Sequence, residues 1–419
     1  MRLLTFVIML ALVACGPSPE PTPPTPPAPT TCTADSSWIT SPTMPTEVAS
    51  TESFCDFYQF SWQWFLAQAS PSTQSGEPVL FQNRVYEPKG GTNQCGNQPI
   101  TGLQGATQAL LPRAIKPSDF EEEQADGNAV YDQNGNVLYF NVFYSQKLCD
   151  AKSDSFVEGT LESKVSWKIV PDDDPHTYFT MKAQIPDSDT EVTLGLLGLH
   201  LAIWTPNHPE MIWATWEHKA NAPLCNGSSL SQNWSLAAQD AAECLKTNPQ
   251  NQSGPPNSKC DSFSFNTPVS QSGTPAPTGT PNNVCRQYAY GNQEGTSVNG
   301  NDNAANLAAI TELNEALVGA EGLLTKLPAQ DPMSVWSNYE MVGALWTKDG
   351  AESGPPPVPS AQGAPSATSP QRGSLELTNM SMETFQQGDS SAIPNCFGCH
   401  NYKETDPLGV SHISRFLLP

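Results

Sequence analysis

The sequence predicts an α+β protein: a β-rich body with a few amphipathic helices and a short C-terminal segment. Three observations predict it. Between residues 137 and 218, apolar runs of strand length follow one another, at 137–144, 164–170, 195–204 and 211–218. Two stretches outside that region repeat apolar side chains at helical spacing. Near its end the chain carries Cys396-Phe397-Gly398-Cys399-His400, a C-x-x-C-H run.

At the N-terminus, Arg2 is the only charge before an apolar run over residues 3–13. That run is too short to span a bilayer and reads as the apolar core of a signal peptide. It ends in Leu12-Val13-Ala14-Cys15-Gly16, which resembles a bacterial lipobox. The resemblance implies residues 1–14 as a lipoprotein signal peptide, cleavage before Cys15, and lipid on the Cys15 thiol. Gly16, rather than Asp, resembles lipoproteins sent on to the outer membrane, facing the periplasm or the cell surface. Residues 15–50 then form a lipidated, Pro-rich tether. Its stretch 17–31 is nearly all Pro, Thr, Ser and Ala. In polyproline II, at about 3.1 Å per residue, that stretch spans roughly 45 Å.

The body is expected over residues 51–351. Residues 54–69 read as a helix, because Phe57, Phe60 and Trp64 share a face. Ser53 and Asp56 resemble a capping box, and Pro71 follows the end. Val79-Leu80-Phe81 reads as a strand. Asp132-Gln133-Asn134-Gly135-Asn136, between two apolar runs, signals a hairpin turn; a calcium loop would need its glycine elsewhere and a closing Glu. Glycines 195 and 198 suggest bulges or close backbone approach in the run 195–204. An insert near 225–300 is polar, carries four cysteines, and reads as a disulfide-tied excursion. Leu307, Ile310, Leu313, Leu317 and Leu324 define an amphipathic helix, with Asn303 as a candidate cap. Residues 352–372 form a Pro/Ser-rich linker, and 373–419 the haem c segment.

Net charge is −23 over 419 residues. So acidic a surface disfavours nucleic acid and suits a basic redox partner protein. No second apolar stretch of membrane length exists, so the membrane is reached through the N-terminal lipid. There are eleven cysteines. With Cys15 given to lipid and Cys396 and Cys399 to haem, the eight that remain are even in number and predict disulfides, their pairing open. Cys244 and Cys260 can staple a loop.

The sequence resembles bacterial exported single-haem cytochromes of the kind described only as cytochrome c family proteins. The resemblance rests on Trp62-Gln63-Trp64-Phe65-Leu66-Ala67, Val165-Ser166-Trp167-Lys168, Gly195-Leu196-Leu197-Gly198-Leu199-His200 and Trp213-Ala214-Thr215-Trp216-Glu217-His218. It continues through Asn221-Ala222-Pro223, Asn338-Tyr339-Glu340-Met341-Val342-Gly343-Ala344-Leu345-Trp346 and Leu377-Thr378-Asn379-Met380-Ser381-Met382-Glu383-Thr384-Phe385-Gln386-Gln387. Trp216 stands where the resemblance leads one to expect Phe. It implies one covalent haem c and a β-rich exported body, and brings no known substrate.

In that chemistry the thiols of Cys396 and Cys399 each add to one vinyl group of a porphyrin, and His400 becomes the proximal ligand. A second axial ligand is open among His412, Met382, Met380 and histidines of the body. No Met occurs in the nineteen residues after His400. His412 lies twelve residues beyond His400, and Met382 fourteen before Cys396. His200 between two leucines, and His218 beside Glu217, are the body's candidates. So short a tail cannot enclose a porphyrin, which is therefore expected to pack on the aromatic body. Two functions follow: one-electron transfer, or a haem-dependent peroxidase or oxygenase with an open iron site. A binding or structural lipoprotein with an ancillary haem is the third.

Overall fold

Among the described residues, nine antiparallel strands make one sheet. The computed structural model describes residues 31–49, 53–87, 93–96, 100–101, 110, 129–151, 155–174, 177–185, 190–228, 233–247, 263–268, 275–292, 301–348, 371–387, 395–400 and 406–418. The signal peptide, Cys15, residues 15–30 of the tether, Cys260 and nearly all of the 352–372 linker lie outside them. The described residues from 32 onward belong to one compact unit.

The strands are β1 (Arg84–Val85), β2 (Ile100–Thr101), β3 (Tyr139–Tyr144), β4 (Leu161–Ile169), β5 (Thr180–Gln184), β6 (Glu191–Thr205), β7 (His208–His218), β8 (Tyr339–Thr347) and β9 (Gln371–Gly373). Their order is β2-β1-β3-β4-β6-β7-β8-β9. Strand β6 pairs β4 along one edge; β5 and then β7 share the other. Helices among the described residues are α1 (Ser37–Thr40), α2 (Phe54–Ala69), α3 (Gln146–Cys149), α4 (Gln239–Thr247), α5 (Asn303–Val318), α6 (Cys396–Cys399) and α7 (Ser414–Leu417).

The central strands are buried on both faces, which is why they read as continuous apolar runs rather than clean alternations. Helices α2 and α5 cover one face. Phe57, Phe60, Trp62, Phe65, Ile310, Leu313 and Leu317 pack there with Val165, Leu199, Leu201, Ala214 and Trp216. The other face holds Val142, Ala202, Met211, Trp213 and Leu345, covered by Leu375, Leu377, Phe397, Val410, Ile413 and Leu417 from the C-terminal tail. The tail is thus the second layer of the sheet.

Helix α2 starts where its cap predicts: the Ser53 hydroxyl accepts from the Asp56 amide (3.3 Å). Helix α5 is capped one residue earlier than read, by Asp302, whose carboxylate accepts from Ala304 and Ala305 (both 3.1 Å). Such a cap is worth about 1 kcal/mol. The 132–136 turn forms. Asp132 Oδ1 accepts from the amides of Asn134 and Asn136 (both 2.9 Å), with Gly135 at φ +76°.

Three readings are corrected. Val79–Gln82 is a 3-10 turn, not a strand: Pro78 leads into it, and it pairs with no strand among the described residues. The tether does not run to residue 50: from Cys32 the chain is tied to the body by the Cys32–Cys55 disulfide, and Trp64 donates to the Pro45 carbonyl (2.9 Å). The insert near 225–300 is no mere excursion. Leu236 and Val284 are wholly buried with Leu197 and Phe140, and Arg286 reaches Glu217 (2.5 Å).

Two further disulfides, Cys95–Cys149 and Cys225–Cys285, join distant parts of the body. Cys244 is disulfide-bonded too, to a residue outside the described ones. No helix among the described residues is long and apolar enough to cross a membrane.

Candidate haem site

Helix α6 is a single turn made by the motif itself. Asn395 starts it: its side-chain oxygen accepts from the Phe397 amide (3.0 Å), while its amide nitrogen donates to Gln371 Oε1 (2.9 Å) and the Leu375 carbonyl (2.8 Å). The motif is therefore bolted to β9 and the turn after it. The His400 amide closes the turn on the Cys396 carbonyl (2.8 Å). Cys396 is half-buried and takes no part in the three disulfides above. The side chain of Cys399 lies outside the described residues.

His400 is buried, and its Nδ1 lies 2.9 Å from the Val410 carbonyl. A carbonyl can only accept, so the proton sits on Nδ1, and in the neutral ring the lone pair is then on Nε2. Burial, then the neighbouring His412, hold the imidazole well below the usual histidine range. It is a neutral imidazole at physiological pH. The ring lies between two others: Trp213 at 4.1 Å and 32°, and His412 at 3.9 Å and 19°.

The bed beneath is the central sheet. Trp213 on β7 is fixed by donation to the Glu210 carbonyl (3.0 Å). One row along, Lys164 on β4 pairs in register with His200 on β6. His200 Nε2 meets Glu383 Oε2 at 2.9 Å, and Lys164 lies 3.8 Å from the same carboxylate. Burial raises the Glu383 carboxyl, but His200, Lys164 and the Asn379 amide outweigh it and leave it below its ordinary value. Lys164 and His200 also help to lower His400.

Glu162, two residues before Lys164, accepts from the Ser411 hydroxyl (2.6 Å). Burial pushes its carboxyl up from 4.5 to about 7, against the pull of Ser411 and Lys164. Between those values the folded protein keeps a proton that the unfolded chain gives up. The stability this confers is complete below pH 4.5 and is lost as pH rises through 7. Glu162→Gln cannot ionise. It is expected to be more stable than wild type by about 3 kcal/mol at pH 8 and by little at pH 5. Chemical denaturation at both values checks this; an equal difference at the two would refute it.

The other candidates lie elsewhere. Met382 is wholly buried among Val130, Leu138, Phe140, Leu197 and Met380, a core cluster distinct from the one that holds the motif. His218 uses both ring nitrogens, Nε2 toward the Thr177 carbonyl (3.2 Å) and Nδ1 accepting from Ala220 (3.1 Å). Glu217 does not orient His218: neighbours on a strand face opposite ways, and its partners are Arg286, Asn221 and the Met380 amide. Sequence reasoning missed the Val410 carbonyl, the Ser411–Glu162 pair and Glu383. Only Trp213, in the densest aromatic run, carried a signal.

The residues present fit a thioether-held haem: a half-buried cysteine thiol, then a neutral imidazole of fixed tautomer on an aromatic bed. Among the described residues no group of three or more His, Cys, Asp or Glu is placed to hold a bare metal ion. Comparison with models of protein families, with characterised proteins and with solved structures finds no match.

Proposed function

We propose that the chain is a membrane-anchored mono-haem c-type cytochrome that transfers one electron at a time in the bacterial envelope. The observation that carries this is the buried His400 in its C-x-x-C-H motif, with its Nδ1 proton held on the Val410 carbonyl. In this reading Cys396 and Cys399 hold one haem c covalently and His400 supplies the proximal nitrogen. The bound group supplies a one-electron couple. The chain's own residues keep the imidazole neutral, hold its proton at Nδ1 and shield it from water. Lipid on Cys15 anchors the protein, by the lipobox at the outer membrane, on its periplasmic or cell-surface side. The net charge of −23 suits docking of a basic redox protein and not of nucleic acid. Cysteines paired as disulfides agree with an exported chain.

The second reading is a haem-dependent peroxidase or oxygenase. The His200–Glu383 pair favours it, because an imidazole oriented by a carboxylate can act as an acid–base group beside the site. One set of spectra separates the two. Mature protein is expected to keep its haem through denaturation and, when reduced, to be unaffected by carbon monoxide. Rapid carbon monoxide binding at neutral pH would favour the enzyme; no haem on the denatured chain would end both readings.

A further inference from the structure

His412 stacks on the same imidazole that the motif presents. A metal held at Nε2 would lie along that nitrogen's lone pair, in the plane of the His400 ring. A ring stacked on the flat face of His400 therefore lies beside that bond, on the proximal side. A second axial ligand has to stand on the opposite face, with the metal between the two imidazoles. Face to face at 3.9 Å and 19°, His412 and His400 have the first arrangement.

The backbone holds His412 there. The Val410 carbonyl that grips His400 Nδ1 is two residues upstream, a reach of about 7 Å in extended chain. Ser411 is anchored on Glu162 (2.6 Å), and Ile413 is buried with Trp213 and Leu417. Just beyond, the carbonyls of Phe416 and Leu417 accept from the Gln94 and Cys95 amides (3.2 and 2.8 Å), and the Cys95–Cys149 disulfide ties that loop to α3. Fastened on both sides, His412 cannot round the edge of a porphyrin without undoing the contact that fixes the proximal tautomer.

We infer that His412 is a positioning residue for the proximal imidazole, closing a Trp213–His400–His412 sandwich, and is not the second axial ligand. This rests on the haem reading above. The sandwich sets the rotation of the His400 ring about its bond to the metal, and any other ligand has to come from the opposite side.

The test compares wild type, His412→Ala and His412→Phe as purified holoproteins, by haem retained on the denatured chain, optical spin state and ferric electron paramagnetic resonance. All three are expected to retain covalent haem and the same spin state. His412→Ala is expected to broaden the spread of g-values, as the ring turns more freely, and His412→Phe to restore the narrow spread by stacking without ligating. Conversion of both variants to high spin, reversed by added imidazole, would make His412 the ligand and overturn the proposal. An unchanged resonance in His412→Ala would overturn it as well. Absence of haem from the wild-type chain would instead overturn the haem reading itself.

Discussion

A chain with both Cys396→Ser and Cys399→Ser is expected to carry no covalent haem at all, while its body still folds. A thioether needs a thiol to add to each vinyl carbon, and a hydroxyl does not make that bond under the same conditions. The double variant should therefore lose all haem on denaturation, a complete loss rather than a graded one. The body should survive, because its described disulfides and the core around α2 and α5 do not use these two cysteines. Haem staining of denatured protein, with circular dichroism of the native state, checks both halves. Haem that stays on the denatured double variant would show attachment elsewhere.

Gly198→Ala is expected to destabilise the protein by about 3 kcal/mol, which is large for one added methyl group. A Cβ at residue 198 would lie 2.7 Å from Asn379 Nδ2 and 2.9 Å from Oδ1. That carboxamide has nowhere to go. It donates to the Thr215 hydroxyl (3.0 Å) and accepts from the Ser381 amide (3.0 Å) and hydroxyl (2.6 Å). Ser381 in turn reaches Ser166 on β4 (2.5 Å). The methyl group either breaks these buried hydrogen bonds or lifts the tail from the sheet. Chemical denaturation measures the first cost. Haem content after expression measures the second, since the motif lies downstream of the same docked segment. A midpoint equal to that of wild type would show that the notch between sheet and tail is not tight.

Elements whose signals are local were legible in the sequence. Helix α2 announces itself through Ser53 and one aromatic face, and the hairpin through Asp132 and Gly135. Runs 195–204 and 211–218 could only be strands or buried helices, and their length and glycines favoured strands. Val79-Leu80-Phe81 failed because three apolar residues fit a 3-10 turn as well as a strand. The insert was misjudged because Leu236 and Val284 stand alone among polar residues, where no period can show that they are core. At the site, the five residues of C-x-x-C-H carry the proposed chemistry. The Val410 carbonyl left no trace, since every residue carries one. Trp213 and Glu383 meet their partners only after the tail has crossed the sheet, a long-range pairing that no spacing encodes.

Because the described residues between 371 and 418 complete the interior of the body, this end of the chain is not a portable cassette. Grafted onto another scaffold, it would arrive with carboxamides, hydroxyls and apolar side chains shaped for strands left behind. Evolution can therefore retune this end of the chain only in step with the central strands, and shuffling it between unrelated proteins should yield insoluble products.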